Sequence, residues 1–182
     1  MVLGTGCRVS GLRPKTRYNR PMFTLLSTGS NQGNSLEILS KANALIEKHA
    51  GVITKQSHVY KTAAWGKTDQ PDFYNQALAV ETPFSPILLF RKLQDIEQQL
   101  GRKRIEKWGP RIIDIDIIFF DKYILKNDLL TVPHPEMQNR NFVLFPLAEI
   151  APKFVHPSLK ISLETLARKS DDPLKAEKIY VY

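Results

Sequence analysis

Two aspartates stand two residues apart inside an apolar run, in the segment WGPRIIDIDIIFF at residues 108–120. Side chains alternate between the faces of a strand, so Asp114 and Asp116 are predicted to share one face, with Cα atoms roughly 7 Å apart. Paired carboxylates in a half-buried strand repel each other and lose hydration, and hard divalent cations relieve both costs. The pair therefore predicts a magnesium site, with Asp114 and Asp116 as metal ligands.

The residues around this pair decide between a metal site and a solvated polar face, which is the commoner explanation of an isolated Asp-x-Asp. Ile112 and Ile118 fall on the aspartate face, which argues against free solvation. Arg111 precedes the pair by three residues, and its planar guanidinium suits phosphate. The opposite face is predicted to hold Ile113, Ile115, Ile117 and Phe119.

Length and composition predict one globular domain, since the chain has 182 residues, 42% of them hydrophobic and 24% charged. No stretch approaches the roughly 18 apolar residues of a membrane span. Of the eight excess positive charges, five lie in residues 1–21, which contain no acid. The three that remain suit an anionic small substrate such as a nucleotide.

The basic leader 1–21 is predicted to lie outside a single domain at 22–182. It is interpreted as residues upstream of a true start at Met22, as an organelle presequence, or as a cloning remnant. Met22 directly precedes the first strand, which favours the first interpretation. The single cysteine, Cys7, lies in the leader, so the rest of the chain has no thiol chemistry. A cytoplasmic location is expected.

Hydrophobic periodicity and turn residues predict the order β-α-β-β-α-β, followed by extra C-terminal elements. This is an α+β fold of the ferredoxin-like plan, with helices packed on an antiparallel sheet. Such a plan hosts many functions, so the function must be argued from the site. The predicted strands cover 23–30, 52–62, 72–82 and the aspartate segment, and the predicted helices cover 35–49 and 85–100. A hairpin through 126–128 and helices near 137–150 and 162–170 are predicted to follow.

Several short motifs occur in an order and spacing that are specific together, although each is weak alone. From about Phe23 to Pro152 the chain resembles the 6-hydroxymethyl-7,8-dihydropterin pyrophosphokinases of folate biosynthesis. The resemblance implies transfer of the pyrophosphoryl group of ATP to the pterin hydroxymethyl oxygen, with release of AMP. The motifs are Gly29-Ser30-Asn31, Asp69-Gln70-Pro71-Asp72-Phe73 with Asn75, Gly101-Arg102, Trp108-Gly109-Pro110-Arg111, Asp114-x-Asp116, Val132-Pro133-His134-Pro135 and Asn139-Arg140.

The resemblance also implies residue roles, with Asp114, Asp116, Arg102 and Arg111 as the catalytic set and two Mg²⁺ ions on the aspartates. Arg102 follows Gly101 at a basic loop, so it is expected to enter the site when that loop closes. The alternative for Arg102 is a solvated basic turn at a helix C-terminus. ATP contacts are implied for Gln94, Glu97, Arg111, Ile117 (through its backbone), Thr131, His134 and Arg140. Pterin contacts are implied for Thr62, Ala63, Trp65, Phe73, Asn75, Trp108 and Phe142.

The chemistry of these side chains fits a flat heteroaromatic substrate. Phe73 and Phe142 would sandwich the ring, and the amide of Asn75 would read its hydrogen-bonding edge. Simple core packing is the alternative for both aromatics. The chain departs from the family pattern at Pro135, where an aromatic is frequent, and at Ala63-Ala64-Trp65, which replaces a proline-rich stretch.

Other functions are weighed against this one. A P-loop kinase is excluded because the glycine required five positions before Gly66 is Lys61. A two-metal nuclease or nucleotidyltransferase needs the same carboxylate pair, and a nucleic-acid-binding module of this topology would stack bases on sheet aromatics. The expected partners are ATP and the pterin, without nucleic acid or membrane, and the chain is expected to be a monomer.

Overall fold

The computed structural model describes residues 17–65, 69–102 and 109–180. Its strands are β1 (Arg17–Ser30), β2 (Val52–Gln56), β3 (Val59–Thr62), β4 (Phe73–Phe84), β5 (Asp114–Phe120), β6 (Leu125–Lys126), β7 (Thr131–Val132) and β8 (Ala176–Ile179). Its helices are α1 (Ser35–His49), α2 (Pro86–Gln99), α3 (Asn141–Ile150) and α4 (Leu163–Arg168), with a single 3₁₀ turn at Met137–Asn139.

The main sheet is antiparallel, in the order β5-β1-β4-β3-β8, and β2 pairs with β4 beside β3. The predicted combination of an antiparallel sheet with packed helices is therefore confirmed. The predicted bounds of the first two helices hold because each has a clear start. Asn34 caps α1 by accepting from the backbone N–H of Glu37, and Pro86 occupies the first turn of α2.

Each face of the sheet has its own apolar layer. On one face α1 and α2 contribute Leu39, Ile46, Leu93 and other side chains that pack on Leu26 and Leu78. On the other face α3 and α4 cover Leu25, Ala77 and Ala79, with Leu144, Leu147 and Leu163 in the layer. The sheet therefore lies between two helical layers. Among the described residues no helix combines the length and apolarity that a membrane crossing requires.

The structure differs from the sequence predictions in five places. The predicted strand 52–62 is two strands, because the chain breaks at Ser57, whose hydroxyl accepts from the backbone N–H of Ala77 at 3.0 Å. The helix predicted near 137–150 begins at Asn141, because Arg140 is extended. Strand β8 was not predicted, because it lies in a charged segment that shows no apolar period. Strand β1 begins at Arg17, inside the predicted leader. The domain boundary at Met22 stays a prediction.

The fifth difference concerns Phe119, which is predicted on the face opposite the aspartates. The register between β1 and β5 shifts by one residue, since Leu25 pairs with Phe119 and Leu26 pairs with Ile117. The extra residue, Ile118, forms a bulge and reverses the alternation after it. Phe119 therefore packs with Ile118 under α3, and the prediction for Phe119 is wrong.

A polar cluster ties β3, α3 and β8 together around the carboxylate of Glu149. It accepts from His58 Nδ1 at 2.5 Å and from the Tyr60 hydroxyl at 2.7 Å, and Lys178 Nζ lies 3.3 Å away. Burial alone would raise the pKa of Glu149, but the hydrogen bonds from His58 and Tyr60 outweigh it and lower the pKa to about 2. The ionised carboxylate is therefore part of the folded structure.

This cluster predicts an acid-dependent term in stability. The folded-state pKa of Glu149 lies below its ordinary value of 4.5, so its contribution is complete above about pH 4.5 and is lost as the pH falls towards 2. We expect Glu149→Gln to lower the free energy of unfolding by about 1 kcal/mol at pH 7, and by progressively less below pH 4.5. Chemical denaturation at pH 7, 5 and 3 measures this. Glu47→Gln, at an exposed position of α1, is the control, and an equal loss at all three pH values would contradict the prediction.

Candidate active site

The polar end of the sheet is organised by β1, the strand that lies between β4 and β5. Gly29 pairs with Asn75 on β4 and with Asp114 on β5. Two residues earlier, Ser27 pairs with Ala77 and with Asp116. Neighbouring strands are about 4.8 Å apart, so Asn75 and Asp114 stand at opposite ends of a row about 10 Å long.

The small residues of β1 open a cavity above this row. It has a volume of about 500 Å³ and lies on the same sheet face as α3. A Cβ atom at Gly29 would lie 2.7 Å from Oδ1 of Asn75, so a glycine is required for this close approach. The lining residues are Ser27, Gly29, Thr62, Ala63, Trp65, Phe73, Asn75, Arg102, Arg111, Asp114, Asp116, His134, Pro135, Glu136, Arg140 and Phe142.

Two arginines hold Asp114 at the β5 end of the cavity. Arg102 Nη1 lies 2.6 Å from Asp114 Oδ1, and Arg111 Nη1 donates to Asp114 Oδ2. The Arg102 side chain is only 17% exposed. The alternative of a solvated basic turn is therefore wrong for Arg102, although the basic residues after it lie outside the described part of the chain.

Glu97 anchors α2 to this end of the sheet. It is buried, it accepts from the backbone N–H of Ile115 at 2.7 Å, and it receives a hydrogen bond from Arg102. Burial raises the pKa of Glu97 to about 7, with the nearby charge of Asp114 acting in the same direction and Arg102 opposing it. Glu97 thus lies beneath the catalytic candidates and does not line the cavity, so its predicted ATP contact stays a prediction.

Asp116 lies two residues further along the same strand. Burial raises its pKa well above the usual range, and the charges of Asp114 and Glu97 add to the effect. The prediction that both aspartates share one face of β5 holds, since both line the cavity. Two carboxylates side by side offer hard oxygen ligands to a divalent cation, whose binding would favour the ionised form of Asp116.

The β4 end of the cavity is aromatic and neutral. Asn75 is buried, and its Nδ2 donates to the Thr62 hydroxyl at 3.0 Å, which fixes the direction of the amide. Phe73 and Phe142 both line the cavity, and Phe142 also packs against the apolar layer under α3. The arrangement suits a flat ring with polar groups at one edge.

Arg140 stands between the aromatic and the acidic ends. Its guanidinium lies 4.8 Å from the ring centroid of Trp65 and 5.8 Å from that of Phe142. Its Nε is buried and has no hydrogen-bond partner among the described residues. A buried donor without an acceptor costs free energy, so this position favours an anionic ligand.

His134 is fixed by the edge of β5. Its backbone N–H donates to the carbonyl of Ile118, the bulge residue, at 3.0 Å. Burial lowers the pKa of His134, and Arg140 lowers it further, so the ring is neutral at pH 7. Nδ1 accepts from the backbone N–H of Glu136 at 3.4 Å, which leaves Nε2 as the donor.

Three further residues predicted to contact ATP do not line the cavity. The side chain of Ile117 packs in the core under α1 and α2, and Thr131 pairs with Lys126 in the hairpin. Gln94 lies on α2 and does not line the cavity. Their predicted ATP contacts stay predictions, and Trp108 lies outside the described residues.

Sequence reasoning missed four lining residues of the cavity, Ser27, Gly29, Pro135 and Glu136. Small residues at alternate positions of an apolar strand were a usable signal for the first two.

Asn31 is a further residue that the sequence did not single out for the site. Its Oδ1 accepts from the backbone N–H of Arg111 at 2.7 Å, and its Nδ2 donates to Gln70 Oε1 at 3.1 Å and to the Pro71 carbonyl at 3.2 Å. It therefore joins the end of β1 to the segment before Phe73 and to Arg111, three residues before the aspartate strand.

The cation-binding end fits magnesium by its donor chemistry. Asp114 and Asp116 offer hard carboxylate oxygens, and Mg²⁺ is commonly bound by one or two carboxylates together with substrate phosphates. Within the described ranges no cluster of three or more His, Cys, Asp or Glu could hold a metal by protein ligands alone. The residues present therefore fit an ion that is shared with a phosphate-bearing ligand.

Comparison with known proteins bears on this site. The model of the 7,8-dihydro-6-hydroxymethylpterin-pyrophosphokinase family matches residues 25–152. The chain is 38% identical over 150 residues to the 2-amino-4-hydroxy-6-hydroxymethyldihydropteridine pyrophosphokinase of Aquifex aeolicus, covering 82% of this chain and 92% of the relative. It is 44% identical over 126 residues to the enzyme of that name from Bacillus subtilis, covering 69% and 75% respectively.

A solved structure shares the fold. A triple mutant of Plasmodium falciparum HPPK-DHPS with pteroate aligns with a TM-score of 0.70 at 19% identity. The alignment covers 82% of this chain and 43% of that longer chain. At this identity the similarity supports the fold alone.

Proposed function

The chain belongs to the 7,8-dihydro-6-hydroxymethylpterin-pyrophosphokinase family, and from this we infer that it transfers the pyrophosphoryl group of ATP to 6-hydroxymethyl-7,8-dihydropterin in folate biosynthesis. The reaction predicted from the sequence is thereby confirmed. The nuclease, nucleotidyltransferase and nucleic-acid-binding alternatives are not favoured by the family match. One observation carries the assignment of the site, namely the row in which Gly29 stands between Asn75 and Asp114.

The two ends of this row match the two substrates of the reaction. The acceptor is a flat ring that carries its reactive hydroxymethyl arm at one end. With Asn75 reading the ring edge, the arm would extend along the row, about 10 Å in length, towards Asp114 and Asp116. The donor phosphates would then lie at the acidic end, where Arg102, Arg111 and Arg140 converge.

We assign the pterin contacts to the β4 end. Phe73 and Phe142 would supply the stacking faces, and Thr62 would hold the Asn75 amide in one orientation through their 3.0 Å hydrogen bond. A preset amide can reject rings whose donor and acceptor pattern does not match it. Ala63 and Trp65 would border the same subsite.

We assign the ground-state phosphate contacts to Arg111, Arg140 and His134, and we place Arg102 beside the group that is transferred. Asp114 engages Arg102 through Oδ1 and Arg111 through Oδ2, so both guanidinium groups are already oriented at the acidic end. The buried Nε of Arg140 would gain an acceptor from a phosphate oxygen. His134 would donate from Nε2 without adding a charge.

Two Mg²⁺ ions, held by Asp114 and Asp116, would neutralise the phosphates and make the acceptor hydroxyl more acidic. The protein then contributes alignment and charge. Asn75 and the aromatics would fix the acceptor oxygen in line with the β-phosphorus, and Arg102 and Arg111 would stabilise the negative charge of the transferring group. Glu97 would hold the guanidinium of Arg102 beside Asp114, because Arg102 bonds to both Glu97 and Asp114.

The finer structural predictions are part of the same proposal. We propose that the order β5-β1-β4-β3 with two covering helices follows the ferredoxin-like plan, to which the hairpin β6–β7, the helices α3 and α4 and strand β8 would be additions. All cavity residues come from one chain, so a monomer would suffice for activity. A cytoplasmic location stays a prediction.

The reaction is tested by incubating the protein with ATP, Mg²⁺ and 6-hydroxymethyl-7,8-dihydropterin and separating the nucleotides by chromatography. AMP is expected to appear in step with the pterin diphosphate. Formation of ADP would indicate ordinary kinase chemistry and would overturn the assignment. Omission of Mg²⁺ is expected to stop AMP formation, and unchanged turnover in the presence of a chelator would contradict the magnesium proposal.

The glycine between the two subsites gives a further prediction. Gly29→Ala is expected to raise the KM for the pterin about 10-fold or more, because the added Cβ would lie 2.7 Å from Asn75 Oδ1 and would displace the amide. The KM for ATP should change little. In an Asn75→Ala background the same Gly29→Ala change should have little further effect, because the atom that it meets is gone. Additive effects in the double variant would contradict a clash with Asn75.

A further inference from the structure

The start of α3 contributes two lining residues of the cavity, Arg140 and Phe142, on either side of Asn141. Arg140 occupies the cap position, but its side chain makes no capping hydrogen bond. The first backbone N–H groups of a helix need acceptors from outside the helix. The position of Arg140 and Phe142 therefore depends on what holds Asn141.

The acceptors come from the segment that follows α4. Asp172 Oδ2 accepts from the backbone N–H of Asn141 at 2.8 Å. The side-chain amide of Asn141, which is only 7% exposed, donates to the carbonyls of Asp172 at 2.9 Å and Leu174 at 2.8 Å. Asp172 Oδ1 accepts from the backbone N–H of Leu174 at 3.0 Å, which locks the turn that presents these carbonyls. A carboxylate at a helix N-terminus is also favoured electrostatically.

The same segment then reaches the opposite wall of the cavity. Strand β8 pairs with β3, and Ala176 stands opposite Thr62. The Thr62 hydroxyl is the acceptor that fixes the amide of Asn75. Residues 172–179 thus touch the helix start that carries Phe142 and the strand end that carries Thr62.

We propose that residues 172–179 form a clasp that sets the spacing of the two walls of the pterin subsite, with Asp172 and Asn141 as positioning residues. The proposal rests on the proposed function, because it takes Phe142 and Asn75 as pterin contacts. Asp172 acts through Asn141 and β8 acts through Thr62, and neither element lines the cavity. Loss of the Asp172 carboxylate would let the first turn of α3 open and would move Phe142 away from the ring that it stacks on.

The test compares Asp172→Ala and Asp172→Asn with the control Asp171→Ala, which removes the same charge from an exposed neighbour. Asp172→Ala is expected to raise the pterin KM about 10-fold, with kcat per folded enzyme within about 2-fold of wild type. Asp172→Asn keeps an oxygen that can accept from Asn141, so its increase should be smaller. Asp171→Ala should match wild type. All are assayed well below the melting temperature of each variant.

A purely structural role would give a different pattern. It would lower the folded fraction and the apparent kcat while leaving the pterin KM unchanged, and that pattern in both Asp172 variants would overturn the clasp. Equal changes in Asp172→Ala and Asp171→Ala would overturn it as well, since they would report net charge alone.

Hydrogen exchange separates failure of the clasp from failure of the proposed reaction. In Asp172→Ala the backbone amides of residues 141–145 and of β3 are expected to exchange about 10-fold faster than in wild type. If wild type forms no AMP but this exchange increases, the pyrophosphokinase assignment fails and the clasp stands as a structural connection. If the exchange rates are unchanged, the clasp is wrong whatever the activity.

Discussion

Asp116→Asn is expected to lower the rate of AMP formation by about 10³-fold or more while the folded protein becomes more stable. The asparagine keeps the shape of the side chain and removes the charge that a cation needs. In the protein, burial and the charges of Asp114 and Glu97 raise the pKa of Asp116, so the ionised form is disfavoured there. A neutral isostere removes this repulsion, and the melting temperature at pH 7 should rise by a few degrees.

The opposite signs of these two effects make the experiment informative. Asp95→Asn, at an exposed position of α2, is the matched control and should leave both activity and melting temperature unchanged. An Asp116→Asn protein with near-normal kcat would contradict the metal assignment. Lost activity with a lowered melting temperature would instead indicate that Asp116 supports the fold.

The parts of this molecule that local pattern controls were predictable from the sequence. The bounds of α1 and α2 follow from Asn34, Pro86 and the apolar stripes of both helices. The shared face of Asp114 and Asp116 follows from the two-residue period of a strand. These features depend on residues close together in the chain, so one sequence contains enough information to predict them.

The parts that the sequence did not predict depend on pairing between distant segments. The bulge at Ile118 arises from the register between β1 and β5, and the local pattern in residues 114–120 gives no sign of it. The burial of Glu97 depends on how α2 meets β5, and the spacing of polar residues on α2 fits an exposed edge equally well. The contact between Asp172 and Asn141 spans 31 positions and falls in a charged segment that resembles a tail.

The site shows the same division. The resemblance named most of the lining residues because their motifs have fixed spacing. It did not explain why Gly29 must be small, since the reason is the 2.7 Å approach of Asn75 from the neighbouring strand. Loop closure is also not needed to bring Arg102 into the site, because in the structure its guanidinium already lies against Asp114 and Glu97.

The position of Arg102 gives the second large prediction. Arg102→Ala is expected to lower kcat about 100-fold with the KM for ATP within about 3-fold of wild type. In the structure Arg102 bonds to carboxylates, so its loss removes little that binds ATP in the ground state. The loss removes positive charge from the place where negative charge develops during transfer. Steady-state kinetics with ATP varied at saturating pterin separates the two constants.

Two variants sharpen this experiment. Arg91→Ala, at an exposed position of α2, should leave both constants unchanged.

Glu97→Gln should lower activity in the wild-type background, because Glu97 holds Arg102. It should have little effect once Arg102 is alanine. Without Arg102 the pKa of Glu97 would rise above about 7, since the nearby positive charge that opposes burial is gone, and a protonated Glu97 resembles glutamine. A collapse of ATP binding with kcat preserved would make Arg102 a ground-state contact. Additive losses in the double variant would show that Glu97 acts independently of Arg102.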